Sequence, residues 1–252
     1  MSILFHSEVT NMLQLNHIHY AYTQTDSLTD ISLTIQPGEA VAFMGPNGSG
    51  KSTLFKLING LIEPTAGQYY FKDQLVDHQF LKNAVQTTAL HRAVGFVFQN
   101  SDVQLFNETV FAELAFGPEQ MGLSKEAVQT RVQDCLKLLQ IEKLADRVPY
   151  QLSGGEKKLV ALGSILTMNP EMIILDEPFN GLSAAYQTLL VQLLQQLNQA
   201  GKSILLASHN YEQVQQIAKR IVIFNEGHQI TNDLPLTEIQ RQPALMAALR
   251  QL

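Results

Sequence analysis

The fold is decided by one short glycine-rich stretch, Gly45-Pro46-Asn47-Gly48-Ser49-Gly50-Lys51-Ser52-Thr53. It matches the pattern G-x-x-x-x-G-K-[S/T] and lies between an apolar run that predicts a buried strand and a segment that predicts a helix. Glycines let the backbone wrap closely around an anion, and the helix N-terminus adds N–H groups and a favourable dipole. The stretch predicts a site for the phosphates of a nucleoside triphosphate, with Lys51 at the β- and γ-phosphates and Ser52 on Mg²⁺.

A pair of carboxylates follows a later apolar run. Residues Met172 to Leu175 have the composition of a buried strand, and Asp176 and Glu177 stand directly after them. One carboxylate can hold Mg²⁺ through water while the next orients and polarises an attacking water. An acidic pair at a strand end is common by itself, but together with the glycine-rich loop it indicates nucleotide hydrolysis.

Strand-like and helical patterns alternate along most of the chain. Strands are predicted near residues 13–22, 30–35, 40–44, 95–98, 172–175, 203–207 and 220–224, and helices near 52–60, 155–168 and 189–200. This alternation predicts an α/β P-loop nucleotide-binding core with a mainly parallel sheet, helices on both faces and an antiparallel β region at the N-terminus. Residues 101–151 break the alternation with helical spacing near 123–139, which predicts an inserted α-helical subdomain.

Composition excludes several classes of function. The chain has 17 Lys and Arg against 23 Asp and Glu, a formal net charge of −6, and a net acidic protein is a poor candidate for binding nucleic acid. Cys135 is the single cysteine, so an internal disulfide is excluded. Because no apolar run approaches the roughly 18–20 residues of a membrane span, a membrane role would require a partner protein.

A third stretch, Leu152-Ser153-Gly154-Gly155-Glu156, resembles the LSGGQ signature of ABC ATPases. It lies between the glycine-rich loop and the acidic pair, which is the order in that family. The resemblance covers about residues 11–230. It implies that Ser153, Gly154 and Gly155 face the γ-phosphate bound by a second ATPase subunit, at another helix N-terminus suited to an anion.

Other positions match further elements of the family. The resemblance implies that Gln99 contacts Mg²⁺ and the attacking water, that His209 contacts the γ-phosphate, and that Tyr22 stacks on adenine. It also implies a single ABC ATPase domain over residues 11–230. Its core would be 11–100 and 152–230, its helical subdomain about 101–151, and residues 231–252 a short C-terminal tail.

Three stretches, 97–106, 115–118 and 152–158, look like the ATPases of energy-coupling factor importers. That resemblance implies uptake of a transition metal cation such as cobalt or nickel, or of a vitamin. The implied partners are a second ATPase subunit, identical or related, an integral-membrane transporter subunit and a substrate-capture protein. The chain would then sit peripherally on the cytoplasmic face of the membrane.

Two departures from the family pattern and two alternatives accompany this interpretation, and the smaller departure is Leu159, where a basic residue is usual. Ser183 occupies the position where the family usually has the D-loop aspartate, which helps to couple the two sites of the dimer. One alternative is a soluble ABC ATPase acting on nucleic acid or ribosomes, although such proteins usually carry two cassettes or a long coiled coil. The other is a nucleotide-binding module without catalysis, against which the presence of Glu177, Gln99 and His209 argues.

Overall fold

The protein is described here by a computed structural model that covers residues 11–23 and 25–252. Its strands are β1 (Leu13–Tyr22), β2 (Thr25–Ile35), β3 (Ala40–Met44), β4 (Ala66–Phe71), β5 (Gln74–Leu75), β6 (Val94–Val97), β7 (Met172–Asp176), β8 (Ser203–Ala207), β9 (Arg220–Phe224) and β10 (Ile230–Pro235). Its α-helices are α1 (Lys51–Ile58), α2 (His78–Lys82), α3 (Ala84–Ala93), α4 (Val110–Gln120), α5 (Lys125–Leu138), α6 (Gly154–Leu166), α7 (Ala184–Gln199), α8 (Tyr211–Ile217), α9 (Leu236–Ile239) and α10 (Pro243–Leu249).

The strands form two sheets. The larger has the order β10-β9-β3-β8-β7-β6 and is parallel except for β10, which pairs antiparallel with β9. The smaller has the order β2-β1-β4-β5 and is antiparallel. The predicted fold class, a mainly parallel sheet with an antiparallel region at the N-terminus, is therefore confirmed.

The five parallel strands of the larger sheet are buried on both faces, which explains why they are nearly continuous apolar runs. Along β3, Val41 and Phe43 pack into a core shared with the antiparallel sheet and α1. Ala42 and Met44, on the opposite face, pack into a second core shared with helices α4 to α8. The sheet is thus the middle layer, with the antiparallel sheet and α1 on one face and helices α4 to α8 on the other.

Helices α4 and α5 lie in the segment where an inserted helical subdomain is predicted, and both pack on the core helix α6. Each begins at a polar cap, as helix N-termini usually do: the Thr109 side chain accepts from Ala112 N and the Ser124 side chain from Ala127 N. The cap at Ser124 is the one the sequence predicts. The division into a core and a subdomain remains a prediction.

Three regions go beyond the sequence-based assignment, and strands β4 and β5 form the first of them. Helices α2 and α3 were not predicted, because residues 78–93 are mostly polar and each helix buries only one residue, Phe80 and Leu90. At the other end, β10 extends the sheet across the predicted boundary at residue 230, and Leu249 of α10 is buried against the core. The tail after residue 230 therefore packs on the core rather than extending from it.

Gly95 in β6 permits close packing beneath the strand that leads to Gln99. A Cβ atom at this position would lie 2.1 Å from Ile165 Cγ2 of α6. We expect Gly95→Ala to lower the free energy of unfolding by about 1–3 kcal/mol, as is usual for overpacking a core, measured by urea denaturation. In an Ile165→Ala background the same change should be less destabilising. An equal loss in both backgrounds would show that this contact is not the cause.

Candidate functional site

A cavity of about 370 Å³ opens at the edge of the large sheet where its parallel strands end. Its lining residues come from the glycine-rich loop and from the ends of two other strands: Asn47, Gly48, Ser49, Gly50, Lys51, Ser52, Thr53, Gln99, Asp176 and Glu177. Most of the predicted site residues are therefore brought together in one place.

Parallel strand order is the reason for this convergence. Strands β3, β8, β7 and β6 are neighbours in the sheet, and the carboxyl ends of parallel strands lie at the same edge. The segments that follow β3, β8 and β6 carry Lys51, His209 and Gln99 respectively, and Asp176 is the last residue of β7. Residues far apart in the sequence thus reach one crevice, the usual place for ligands in open α/β sheets.

Two glycines of the loop allow a close approach of backbone to backbone. Gly50, the residue before α1, has φ 105°, and a Cβ there would lie 2.2 Å from the carbonyl oxygen of Ser27. Gly45 has φ 143°, and a Cβ there would lie 2.5 Å from the carbonyl oxygen of Phe224. Both positions require glycine for the backbone angle and for space.

Lys51 lies inside the curve of the loop. Its ammonium donates hydrogen bonds to the carbonyl oxygens of Gly45 and Pro46, each at 2.8 Å, and to Ser49 Oγ at 3.2 Å. Desolvation lowers the pKa of Lys51, while the nearby carboxylates Glu177 and Asp176 oppose that shift. A buried cation held by carbonyl groups favours an incoming anion.

Asp176 is also buried, with 5% of its surface exposed. Burial raises the pKa of its carboxyl, while a hydrogen bond with Ser52 and the charge of Lys51 oppose the rise. The Ser52 hydroxyl and the Asp176 carboxylate thus offer adjacent oxygen ligands. Mg²⁺ prefers such ligands and usually retains waters and substrate phosphates, so this pair fits the ion.

Glu177 stands in a strained backbone conformation, with φ 48°, directly after the end of β7. The conformation is held by Glu177 N, which donates to Ala207 O of β8 at 3.0 Å, and by Lys158 Nζ, which donates to Glu177 O at 2.8 Å. His209 Nδ1 lies 3.0 Å from Glu177 Oε2. Left-handed geometry at a non-glycine residue costs about 1–3 kcal/mol and is concentrated at functional sites.

Several predicted residues do not line this cavity within the described part of the chain. His209 contacts it only through Glu177, and Gly45 and Pro46 take part through their carbonyl groups. Tyr22 lies at the end of β1, 42% exposed and in edge contact with Tyr20. The other three are Ser153, Gly154 and Gly155, which begin helix α6.

The N-terminus of α6 is closed by a capping box. The Glu156 carboxylate accepts from Ser153 N at 2.8 Å and from Ser153 Oγ at 2.7 Å, and these hydrogen bonds lower the pKa of Glu156. Glu156 N in turn donates to Ser153 Oγ. The reciprocal bonds fix the first turn of α6 and orient its backbone N–H groups.

Sequence reasoning missed Lys158 as a site residue. It belongs to the stretch 152–158 that carries the family resemblance, but its role depends on where α6 packs on the sheet, which brings Lys158 Nζ to the carbonyl oxygen of Glu177. Desolvation lowers the pKa of Lys158, and the charges of Glu177 and Asp176 oppose that shift. The sequence offers one weak indication, which is that Lys158 directly precedes Leu159, a residue that is buried in the structure.

Comparisons with known proteins identify the family of this chain. A family profile described as ABC transporter matches residues 28–180. The chain is 53% identical to the nickel import ATP-binding protein LarO of Lactiplantibacillus plantarum, over 96% of this chain and 100% of that protein. It is 38% identical to the energy-coupling factor transporter ATP-binding protein EcfA of Methanothermobacter thermautotrophicus, over 95% of this chain and 76% of that protein.

Among solved structures, the ATP-binding cassette MJ0796, as a dimer in a post-hydrolysis state bound to ADP and Pi, superimposes with a TM-score of 0.81. The identity is 29%, over 89% of this chain and 99% of that one. The fold and site thus define a P-loop ATPase. The chain belongs to the ABC transporter family, as an ATP-hydrolysing subunit related to the energy-coupling factor ATPases.

Lys158 offers a test of how the Glu177 backbone is held. We expect Lys158→Met to lower the turnover of ATP about tenfold, because the Glu177 carbonyl loses a charge-assisted hydrogen bond that fixes its position. The control is Lys157→Met on the same helix, where the lysine pairs with Asp102 instead. Steady-state phosphate release measures both. Wild-type turnover in Lys158→Met would contradict the role of this contact.

Proposed function

We propose that this chain powers an importer of the energy-coupling factor type, with a transition metal cation, nickel or cobalt, as the cargo. The observation that carries the proposal is the convergence of Lys51, Asp176 and Glu177 on one cavity, in a chain that is similar over 96% of its length to a nickel import ATP-binding protein. A vitamin cargo remains the alternative among energy-coupling factor importers. No observation favours action on nucleic acid.

In the proposed site the triphosphate of ATP occupies the cavity. The loop N–H groups and the Lys51 ammonium bind the β- and γ-phosphates, and Tyr22 at the end of β1 supplies the surface for adenine. Ser52, Asp176 and Gln99 would hold Mg²⁺, which would neutralise charge on the β- and γ-oxygens. The buried position of Asp176 and Lys51 supports this, because electrostatic interactions strengthen where water is excluded.

Glu177 is proposed to orient the attacking water and to accept its proton. Its backbone is fixed from two sides, and its carboxylate reaches His209 Nδ1 at 3.0 Å. His209 would then contact the γ-phosphate while keeping the carboxylate in place, and Gln99 would hold the water from the end of β6. A positioned base contributes typically 10²–10⁴-fold to a hydrolytic rate.

A second subunit is proposed to complete each site. Ser153, Gly154 and Gly155 begin a helix whose N-terminus has an anion-binding geometry, yet they do not line the cavity of their own chain. A head-to-tail pair would place them against the γ-phosphate of the partner, and a similar cassette forms a dimer with bound ADP and Pi. The partner is either a second copy or a related ATPase.

Glu177→Gln tests the hydrolytic step. We expect turnover to fall about 100-fold or more while ATP binding is retained, because the amide keeps the size of the side chain but accepts no proton. Size-exclusion chromatography should show an ATP-dependent dimer that persists in the variant and disappears on hydrolysis in the wild type.

The matched control is Glu171→Gln, a half-exposed glutamate before β7 that pairs with Lys72. Its turnover should equal that of the wild type. Hydrolysis at the wild-type rate in Glu177→Gln would show that another group activates the water.

The membrane subunit is proposed to dock in a second cavity, of about 520 Å³, between α3 of the core and helices α4 and α6. Phe106 and Phe116 stand at this cavity in edge contact, with ring centroids 5.0 Å apart, and Phe106 is 68% exposed. No helix in the part of the chain that the structure describes is long and apolar enough to cross a membrane. An exposed aromatic pair in a cleft is the kind of surface that binds a partner.

The docking cavity is connected to Gln99 through a short ordered segment. Gln104 Oε1 accepts from Phe98 N at 3.2 Å, and Gln104 Nε2 donates to Ala161 O of α6 at 3.2 Å. The Glu113 carboxylate then accepts from Phe106 N at 3.0 Å. Loss of phosphate at Gln99 could therefore be transmitted to Phe106 as a movement of the helical subdomain.

Phe106→Ala tests this coupling. We expect uptake of radiolabelled nickel or cobalt by cells carrying the complete transporter to fall at least several-fold, because an anchor of the docking surface is removed. Basal hydrolysis by the purified chain should remain within about twofold, since Phe106 does not touch the nucleotide cavity.

Val85→Ala is the control, because Val85 is a more exposed apolar residue on α3 that does not line the docking cavity. It should leave both activities unchanged. Equal loss of uptake and hydrolysis in Phe106→Ala, with the fold intact, would count against a coupling role. Uptake of a vitamin without metal uptake would overturn the proposed cargo alone.

A further inference from the structure

Two segments flank Glu177 in space and approach it from different directions. The first is the D-loop segment, residues 178–183, which follows Glu177 in the chain and ends at the exposed Ser183. The second is the switch loop, residues 208–210, which carries His209 between β8 and α8. Helix α7 begins after the first segment, α8 begins after the second, and the two helices pack together.

A pair of glutamines joins these two helices at their first turns. Gln213 Nε2 of α8 donates to Gln187 Oε1 of α7 at 2.9 Å, and both side chains are partly buried. Gln187 Nε2 donates in turn to the carbonyl oxygen of Leu182, at 3.1 Å. One amide group thus contacts the D-loop segment and the α8 helix at the same time.

The connection continues into the switch loop. Gln213 N donates to Asn210 Oδ1 at 3.1 Å, and Asn210 N donates to Ser208 Oγ at 3.1 Å. His209 lies between these two anchored residues, with its Nδ1 3.0 Å from Glu177 Oε2. Leu182 is therefore connected to the residues on both sides of His209 by four hydrogen bonds, which are joined through Gln187, Gln213 and Asn210.

The same pair of helices contains a second amide link that touches neither segment. Gln195 Nε2 of α7 donates to Gln216 O of α8 at 2.7 Å, two turns further along α7. This link stabilises the packing of the helices without contacting the D-loop segment or the switch loop. It separates the general effect of joining α7 to α8 from the particular effect of joining the two segments.

We propose that Gln187 and Gln213 are positioning residues that set the place of His209 relative to Glu177 according to the position of the D-loop segment. The proposal rests on the proposed function, because it assumes that Glu177 and His209 act on ATP. A second subunit that contacts Ser183 would displace Leu182, and the displacement would pass through the glutamine pair to Asn210. The pair would thus change the position of His209 when a second subunit binds at the dimer interface.

Chemistry and placement favour this role over simple helix packing. An aliphatic pair would join the two helices equally well, but only an amide can accept from Gln213 and donate to a carbonyl group at once. Partly buried hydrogen bonds also fix the orientation of the groups that they join, whereas apolar contacts permit small displacements. Ser183 caps α7 through its hydroxyl, which accepts from Tyr186 N at 3.4 Å, so the D-loop segment ends at a fixed turn.

The test compares ATP hydrolysis by the full chain in three variants. Gln187→Leu removes both contacts of the pair, Gln213→Leu removes the bond between the helices, and Gln187→Glu keeps the acceptor for Gln213 but cannot donate to Leu182. We expect each to lower kcat about 3- to 10-fold, the range for one lost neutral hydrogen bond, with KM for ATP within about twofold. The Hill coefficient for ATP should fall toward one.

Two further measurements distinguish positioning from stability. The double variant Gln187→Leu with Gln213→Leu should be no slower than the slower single variant, because both residues act through one connection. Gln195→Leu should retain the wild-type kcat and Hill coefficient even if its melting temperature falls. Gln187→Glu, which keeps the volume of the side chain, provides the answer if the leucine variants fail to fold.

The inference is overturned if Gln187→Leu and Gln195→Leu have the same kcat, or if the effects of the two single changes add. It is also overturned if KM rises while kcat stays constant. Glu177→Gln serves as the reference. If that variant loses hydrolysis while the glutamine variants retain it, only the inference fails. If that variant hydrolyses ATP at the wild-type rate, the proposed role of Glu177, on which the inference rests, fails.

Discussion

The parallel pairing of β3 with β8 and of β8 with β7 is the constraint on which the rest of the structure depends. Parallel strands bring their carboxyl ends to one edge, and each of these strands is followed by a residue of the site. The hydrogen-bond ladder even extends past β7, where Glu177 N donates to Ala207 O. A slip of one residue in this register would turn Asp176 toward the opposite face of the sheet.

This arrangement places charged groups where water is scarce. Burial lowers the pKa of Lys51 and of Lys158 and raises the pKa of Asp176, so it favours the neutral form of each group. The attraction between their opposite charges opposes these shifts only in part. These buried charges and the left-handed backbone at Glu177 therefore lower the stability of the folded protein when no ligand is bound. Active sites commonly carry such a cost, since the same fields that destabilise the empty site stabilise a bound polyphosphate with its metal.

Side-chain caps at helix N-termini fix several of the segments around the cavity. Ser153, Ser183 and Asn210 each cap a helix with the side chain, and each stands at the beginning of an element that approaches the site. At Ser183, serine replaces the aspartate usual in the family and still provides the cap, because either side chain can accept from a backbone N–H. The replacement thus preserves the start of α7 while removing a negative charge from an exposed position.

The sequence predicted those parts of the site that local patterns encode. The glycine-rich loop, the apolar strand before Asp176 and the cap at Ser124 are local features, and the structure agrees with them. Helices α2 and α3 escaped prediction because they bury little apolar surface and so lack a periodic signal. The roles of Lys158 and Gln187 were not predicted, because the neighbouring residues in the sequence do not indicate which groups these side chains contact.

By itself, the sequence determined the fold class, the family and the residue types that can bind and hydrolyse a nucleotide. It could do so because short consecutive segments of sequence specify the strands and the nucleotide-binding loops. Only the tertiary structure decided which distant residues meet. The contacts of Lys158 with the Glu177 carbonyl and of Gln187 with Gln213 arise from how α6, α7 and α8 pack on the sheet. Such contacts depend on the relative placement of whole elements, and a linear pattern of residues does not contain that placement.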